Sequence, residues 1–180
     1  FLVVLSATFL LLLKQPDFGS VVTMFSASML VFFIAGFELG HLLYTVMLSI
    51  PLLLYLIVAR SYRLNRILIF LNPWTDPRGR GFQIIQSLIA IGSGHLWGLG
   101  IANSKQKFFY LPMQHTDFIF SIIAEETGFV GSVMLIFLYI AFCFIGMRIA
   151  LQLKEPFQFF TTIGFVLFIT LQATINLMVA

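Results

Sequence analysis

Between Phe118 and Met147 the chain is apolar apart from two carboxylates, Glu125 and Glu126, and from Thr127 onward this run carries no charge. About 20 such residues in a helix cross the hydrocarbon core of a bilayer. The same character recurs along the chain: of 180 residues 60% are hydrophobic and 9% charged, where soluble domains carry about a quarter charged. In lipid the backbone has no hydrogen-bond partner but itself, so a spanning segment of this kind folds as helix. The fold class expected is an all-α polytopic membrane protein. Cys143 is the single cysteine and lies inside an apolar run, so neither a disulfide framework nor a thiolate metal site is expected.

Apolar runs predict membrane helices at about 1–13 (partial), 20–37, 42–59, 118–147 and 157–178. Residues 1–13 are too few to span before Lys14, which reads as a helix cut short; the opening at Phe1, with no basic flank, reads as no signal peptide. Glu38-Leu-Gly-His41 is expected to join the second and third helices, and Arg148 to Pro156 the fourth and fifth. Between the third and fourth lies one long insertion, about 60–116, holding both tryptophans and seven of the ten Lys/Arg residues. Each crossing flips the side, so Lys14–Gly19, the insertion, Asp117 and Asn176 all emerge on one face. Eight Lys/Arg lie on that face and two, Arg148 and Lys154, on the other. The positive-inside rule points that face to the cytoplasm, but the rule weakens for loops near 60 residues, so the residues alone leave the side open.

Asp117 stands at the mouth of the fourth helix, where an idle carboxylate is expensive. One reading makes it or Thr116 an N-cap; the other makes it chemistry, because Lys105 and Lys107 precede it closely. Ser121, one turn on, shares its face. Lys14 and Asp17 form either an interfacial ion pair or a polar wall of a groove, shaped by Pro16 and Gly19. Arg60, Arg63 and Arg66 fall at helical spacing beside Leu64 and Ile67, which fits an interfacial helix on anionic headgroups. The same arginines suit a lipid pyrophosphate, since guanidinium binds phosphate oxygens in bidentate fashion. Asn72-Pro-Trp-Thr-Asp-Pro77 reads as a turn. Gly79, Gly81, Gly92, Gly94, Gly98 and Gly100 read as a flexible stretch, and none forms a phosphate-binding loop. Glu125 and Glu126 read as bracing the helix against a neighbour. His41 and His95 have no cluster of ligands near them in sequence, so no metal site is expected.

Ordered motifs cover essentially the whole chain. Gln15-Pro-Asp-x-Gly19, Tyr62-Arg63-x-x-Arg66, Asn72-Pro-Trp-x-Asp-Pro77, Gly81-Phe-Gln-x-x-Gln-Ser87 and Ala90-Ile-Gly-Ser-Gly94 come first. Asn103-Ser-x-Gln-Lys107, Tyr110-Leu-Pro112, His115-Thr-Asp-Phe-Ile-Phe120 and Glu125-Glu-x-Gly128 follow. Together they resemble the SEDS family of bacterial cell-wall polymerases (RodA, FtsW, SpoVE), with Asn-Pro-Trp and Asn-Ser-x-Gln-Lys leaning toward the FtsW/SpoVE branch. The resemblance implies a fragment: roughly the fifth through ninth helices of a fold of about ten, with the 60–116 loop extracytoplasmic. It places the chain in the bacterial cytoplasmic membrane as a multi-pass protein with its active site facing outside.

The activity implied is peptidoglycan glycosyltransfer from lipid II, a disaccharide-peptide on undecaprenyl pyrophosphate. The family's essential aspartate falls on Asp117, the implied general base. Arg63, Arg66 and Lys107 are the implied pyrophosphate holders, with Lys14, Asp17, Gln106, His115 and Ser121 as further substrate contacts. No protein-bound metal is assigned; a divalent cation, Mg or Mn, is a candidate helper. Implied partners are a class B penicillin-binding protein and other divisome or elongasome membrane proteins, with no nucleic acid. Three positions depart from the family's habit: Met113 where many members carry Glu, Ala102 where Gly is frequent, and Thr127 in place of Leu. Two other readings fit the polar residues: a lipid II flippase, with Lys14, Asp17 and Glu125 as stations, and a non-catalytic scaffold for the transpeptidase.

Overall fold

In the computed structural model of the protein, residues 8, 11, 18–58, 65, 68–77, 79, 81–103 and 118–179 are described. Their regular elements are all helical: α1 Phe18–Ile34, α2 Leu39–Val58, a 3-10 turn Pro73–Thr75, α3 Phe82–Ser93, α4 Ile119–Gln152 and α5 Pro156–Val179. Two of these, α4 and α5, are long and apolar enough to cross a membrane. Large apolar side chains such as Phe137, Phe144 and Phe165 stand exposed on them. In water such a surface would demand a partner. Lipid is the solvent that suits it, as expected for a membrane protein.

Local chemistry explains where the helices stop. Gly36 takes φ +84° at the end of α1, the left-handed conformation that a side chain disfavours. Gly36 N–H then donates to Phe33 O (3.1 Å) and Phe37 N–H to Phe32 O (3.2 Å), the paired bonds of a Schellman end. The apolar contact that accompanies such an end is present as an edge-on Phe32–Phe37 pair with centroids 5.0 Å apart. Glu38 O then accepts from His41 N–H (3.0 Å) and Leu42 N–H (3.3 Å) to open α2. The reversal therefore falls at residues 35–38, and Leu39, Gly40 and His41, expected in the link, already belong to α2. Gly36 rather than Gly40 is the glycine that turns the chain.

The α4–α5 link is also shorter than expected. Helix α4 runs through Arg148 to Gln152, and α5 starts at Pro156, where a missing N–H costs nothing because first-turn amides have no intrahelical acceptor. Glu155 O receives Phe159 N–H at 3.0 Å.

The chain packs as two units. One gathers α1, the start of α2 to Thr45, α4 from Ala141 and α5 to Ala173. Its buried residues include Val21, Thr23, Ala27, Ala150, Ile163 and Val166. The other gathers Val46–Ile140 with Thr174–Ala180, and contains the 3-10 turn, α3 and the first part of α4. The stretch expected as the 60–116 loop thus holds regular structure: Pro73 is buried beneath its 3-10 turn, and α3 buries Ile85, Ser87 and Ala90.

Candidate functional site

Helix α4 is broken at Gly128, whose φ of 71° and ψ of −166° lie outside helical space. In an unbroken helix the carbonyls of Glu125 and Glu126 would receive the amides of Phe129 and Val130. Here Glu125 O accepts from Leu99 N–H (3.0 Å) and Glu126 O from Gly100 N–H (3.1 Å). Phe129 N–H donates to His95 O (2.9 Å) and Val130 N–H to Leu96 O (3.2 Å). Leu99 and Gly100 are themselves four residues beyond His95 and Leu96. The broken turn of α4 and the turn after α3 at 95–100 have therefore exchanged hydrogen bonds, each supplying the partners the other lacks. These four amides and four carbonyls stay paired, the condition that an apolar surrounding imposes on a broken helix.

Such an exchange requires backbones to touch. A Cβ on Gly98 would fall onto the carbonyl oxygen of Glu126, and one on Gly128 onto the amide of Gly98 and the carbonyl of Leu96. The φ/ψ of Gly128 is in addition a region that only glycine populates freely. The expected flexible stretch is thus corrected at Gly94 and Gly98: these glycines let the crossing close, since a Cβ on Gly94 would likewise meet Ala124 O. Asn103 finishes the loop, its amide N–H on Gly100 O (3.1 Å) and its side chain on Leu99 O (3.2 Å).

Side chains of the first part of α4 follow from this clamp. Ser121 is fully buried, its Oγ 2.6 Å from Oγ of Ser87 on α3, also fully buried. Phe118 and Ile122 form a buried apolar pair beside it. Glu125 is 1% exposed, and Oε1 of Glu126 is buried with no hydrogen-bond partner among the described residues. Thr127 turns its hydroxyl back onto Ile123 O at 2.7 Å. This removes the penalty of placing a polar side chain in an apolar helix. Ala102 adopts φ +66°, where glycine is the unstrained choice.

Of the expected catalytic and substrate-contact residues, Ser121 is the one that falls among the described residues, and the structure brings it to Ser87. Lys14, Asp17, Arg63, Arg66, Gln106, Lys107, His115 and Asp117 lie outside the described residues, as does Met113. His41 is exposed and 3.1 Å from Glu38 Oε2, an ion pair only when the ring is protonated; at such exposure it adds little. Among the described residues no three of His, Cys, Asp and Glu gather as a metal would require. Sequence reasoning missed Ser87 and the exchange. The signal was there in part, in Gly94, Gly98, Gly100 and Gly128, but spacing alone does not say which backbone a glycine admits.

Comparison with known proteins gives this module its setting. The family described as Cell cycle protein (FtsW, RodA and SpoVE) matches residues 1–180. The chain belongs to the FtsW/RodA/SpoVE family. Stage V sporulation protein E of Bacillus subtilis (strain 168) is 40% identical over 171 residues, covering 95% of this chain and 47% of that protein. A probable peptidoglycan glycosyltransferase FtsW of Geobacter metallireducens is 41% identical over 177 residues, covering 98% of this chain and 47% of its own. The protein of the same name from Escherichia coli O6:H1 is 42% identical over 169 residues, with 92% and 41% covered. The chain spans about half the length of these relatives, so the exchange described above is a feature of one part of an FtsW/RodA/SpoVE protein.

Proposed function

We propose that this chain is part of a peptidoglycan glycosyltransferase that polymerises lipid II in cell division or cell-wall synthesis, with Asp117 as general base. The observation that carries the reading is similarity of about 40% over nearly the whole chain to proteins named for that activity. Asp117 takes the proton from the 4-hydroxyl of the acceptor sugar. The oxygen attacks the anomeric carbon of the donor as the bond from that carbon to pyrophosphate breaks, inverting the centre. The leaving group departs already anionic and needs no acid, so one carboxylate suffices where hydrolases use two. Arg63, Arg66 and Lys107 stabilise charge gathering on the pyrophosphate. Lys14, Asp17, Gln106 and His115 contact the lipid-linked substrate; the hydroxyl of Ser121, a further candidate from the sequence, is instead buried against Ser87. Among the described residues no three of His, Cys, Asp and Glu gather to hold a divalent cation.

The protein works in the bacterial cytoplasmic membrane with this chemistry on the outer face. Its partners are a class B penicillin-binding protein and other divisome or elongasome membrane proteins. A sealed-vesicle assay with purified full-length protein, its partner and lipid II tests the activity. Glycan strands are expected; lipid II carried across the bilayer with no polymer would replace this reading by a flippase.

A further inference from the structure

We propose that Ser87 is a positioning residue for glycosyl transfer, holding the start of α4 in register through its buried hydrogen bond to Ser121. The inference rests on the reading of Asp117 as base and deepens it, because Ser121 follows Asp117 by four positions in the chain. Ser87 and Ser121 are both 0% exposed and their hydroxyls lie 2.6 Å apart across 34 residues of sequence. Filling the space does not need them: Ala90 on α3 and Ala124 on α4 are just as buried, at 0% and 2% exposed. Burying two hydroxyls forfeits their bonds to water, and replacing both by apolar groups of similar shape is nearly neutral in stability. What the pair adds is direction. A hydrogen bond fixes the rotation of one helix against another, where an apolar contact tolerates sliding.

The second anchor is the exchange at Glu125–Val130, beginning one helical turn beyond Ser121. One anchor leaves the first turn of α4 free to pivot; two fix both its rotation and its height. Asp117 adjoins Phe118 at the head of α4 in the sequence, so this doubly anchored turn is the part of the fold nearest the base along the chain. Misplacing a reacting group by about 1 Å can cost on the order of a hundredfold in rate.

The test is steady-state polymerisation of lipid II by the full-length protein with its class B penicillin-binding protein. Ser87→Ala, Ser121→Ala, the double variant and Asp117→Asn are compared with wild type at matched amounts of folded complex. Ser87→Ala is expected to lower kcat by roughly ten- to a hundredfold with KM for lipid II changed by less than about twofold. The double variant is expected to be no slower than either single one, since the two hydroxyls act as a unit. An unchanged kcat for Ser87→Ala overturns the proposal, and so does a Ser121→Ala loss that appears in KM and adds to that of Ser87→Ala. Full turnover by Asp117→Asn removes the base reading instead, a result legible apart from the serine series. Should Ser87→Ala not fold, Ser87→Cys/Ser121→Cys serves: turnover higher when the pair is oxidised supports the proposal, and equal or lower turnover overturns it.

Discussion

Ala102 shows how a single residue choice becomes physical once the backbone is known. At φ +66° its Cβ crowds the following carbonyl, a strain of roughly 1–2 kcal/mol that glycine escapes, less the 0.5–1 kcal/mol that glycine loses in chain entropy. Ala102→Gly is therefore expected to raise stability by about 0.5–1 kcal/mol, read as a higher melting temperature in detergent; a lower one would show that the left-handed turn is not strained. Phe37 offers a complementary case. Its ring closes the end of α1 on Phe32, and Phe37→Ala is expected to cost about 1 kcal/mol, the scale of an edge-on aromatic pair. A melting temperature unmoved by the change would mean that Gly36 alone sets the turn. The resemblance singled out Ala102 as a place for Gly, and its φ is one that glycine adopts without strain. Asp117 was legible as a carboxylate out of place, and the resemblance gave it a role.

At the scale of elements, the hydrogen-bond exchange couples two segments that lie some thirty residues apart in sequence. Gly128→Ala places a Cβ against backbone atoms of Leu96 and Gly98, which unlike a side chain cannot swing away. Strain of this kind is worth roughly 3 kcal/mol. Because the bonds are shared, the damage is expected to reach both partners. Hydrogen exchange in the variant speeds at Leu99 and Gly100 as well as at Phe129 and Val130. Faster exchange confined to Phe129 and Val130 would contradict the shared ladder. Apolar runs made the helices themselves readable, because length and composition decide what lipid accepts. Their ends were less readable: 20–37 was expected where Phe18–Ile34 forms, and 118–147 where Ile119–Gln152 forms. Uniformly apolar segments carry no period, so ends are set by features such as the Gly36 turn and Pro156. The exchange was hidden for a further reason. A glycine that admits a foreign backbone and one that merely loosens a loop look alike in one dimension.

Across the whole molecule, an apolar surface, family membership and a clamped entrance to α4 bear on one reaction, in a chain spanning about half of its relatives. Lipid supplies the solvent, and it also raises the penalty for any unpaired backbone group, which is why the break at Gly128 is so fully satisfied. The claim on which the functional account stands is that one carboxylate draws the proton from the acceptor sugar. General bases contribute about 10²–10⁴-fold to rate. The most direct measurement is lipid II polymerisation by the full-length protein with its transpeptidase partner, wild type against Asp117→Asn. Glycan strands are expected from the wild type, and from the variant a rate lower by that factor at the same yield of folded complex. Strands made by both at equal rates would contradict that claim.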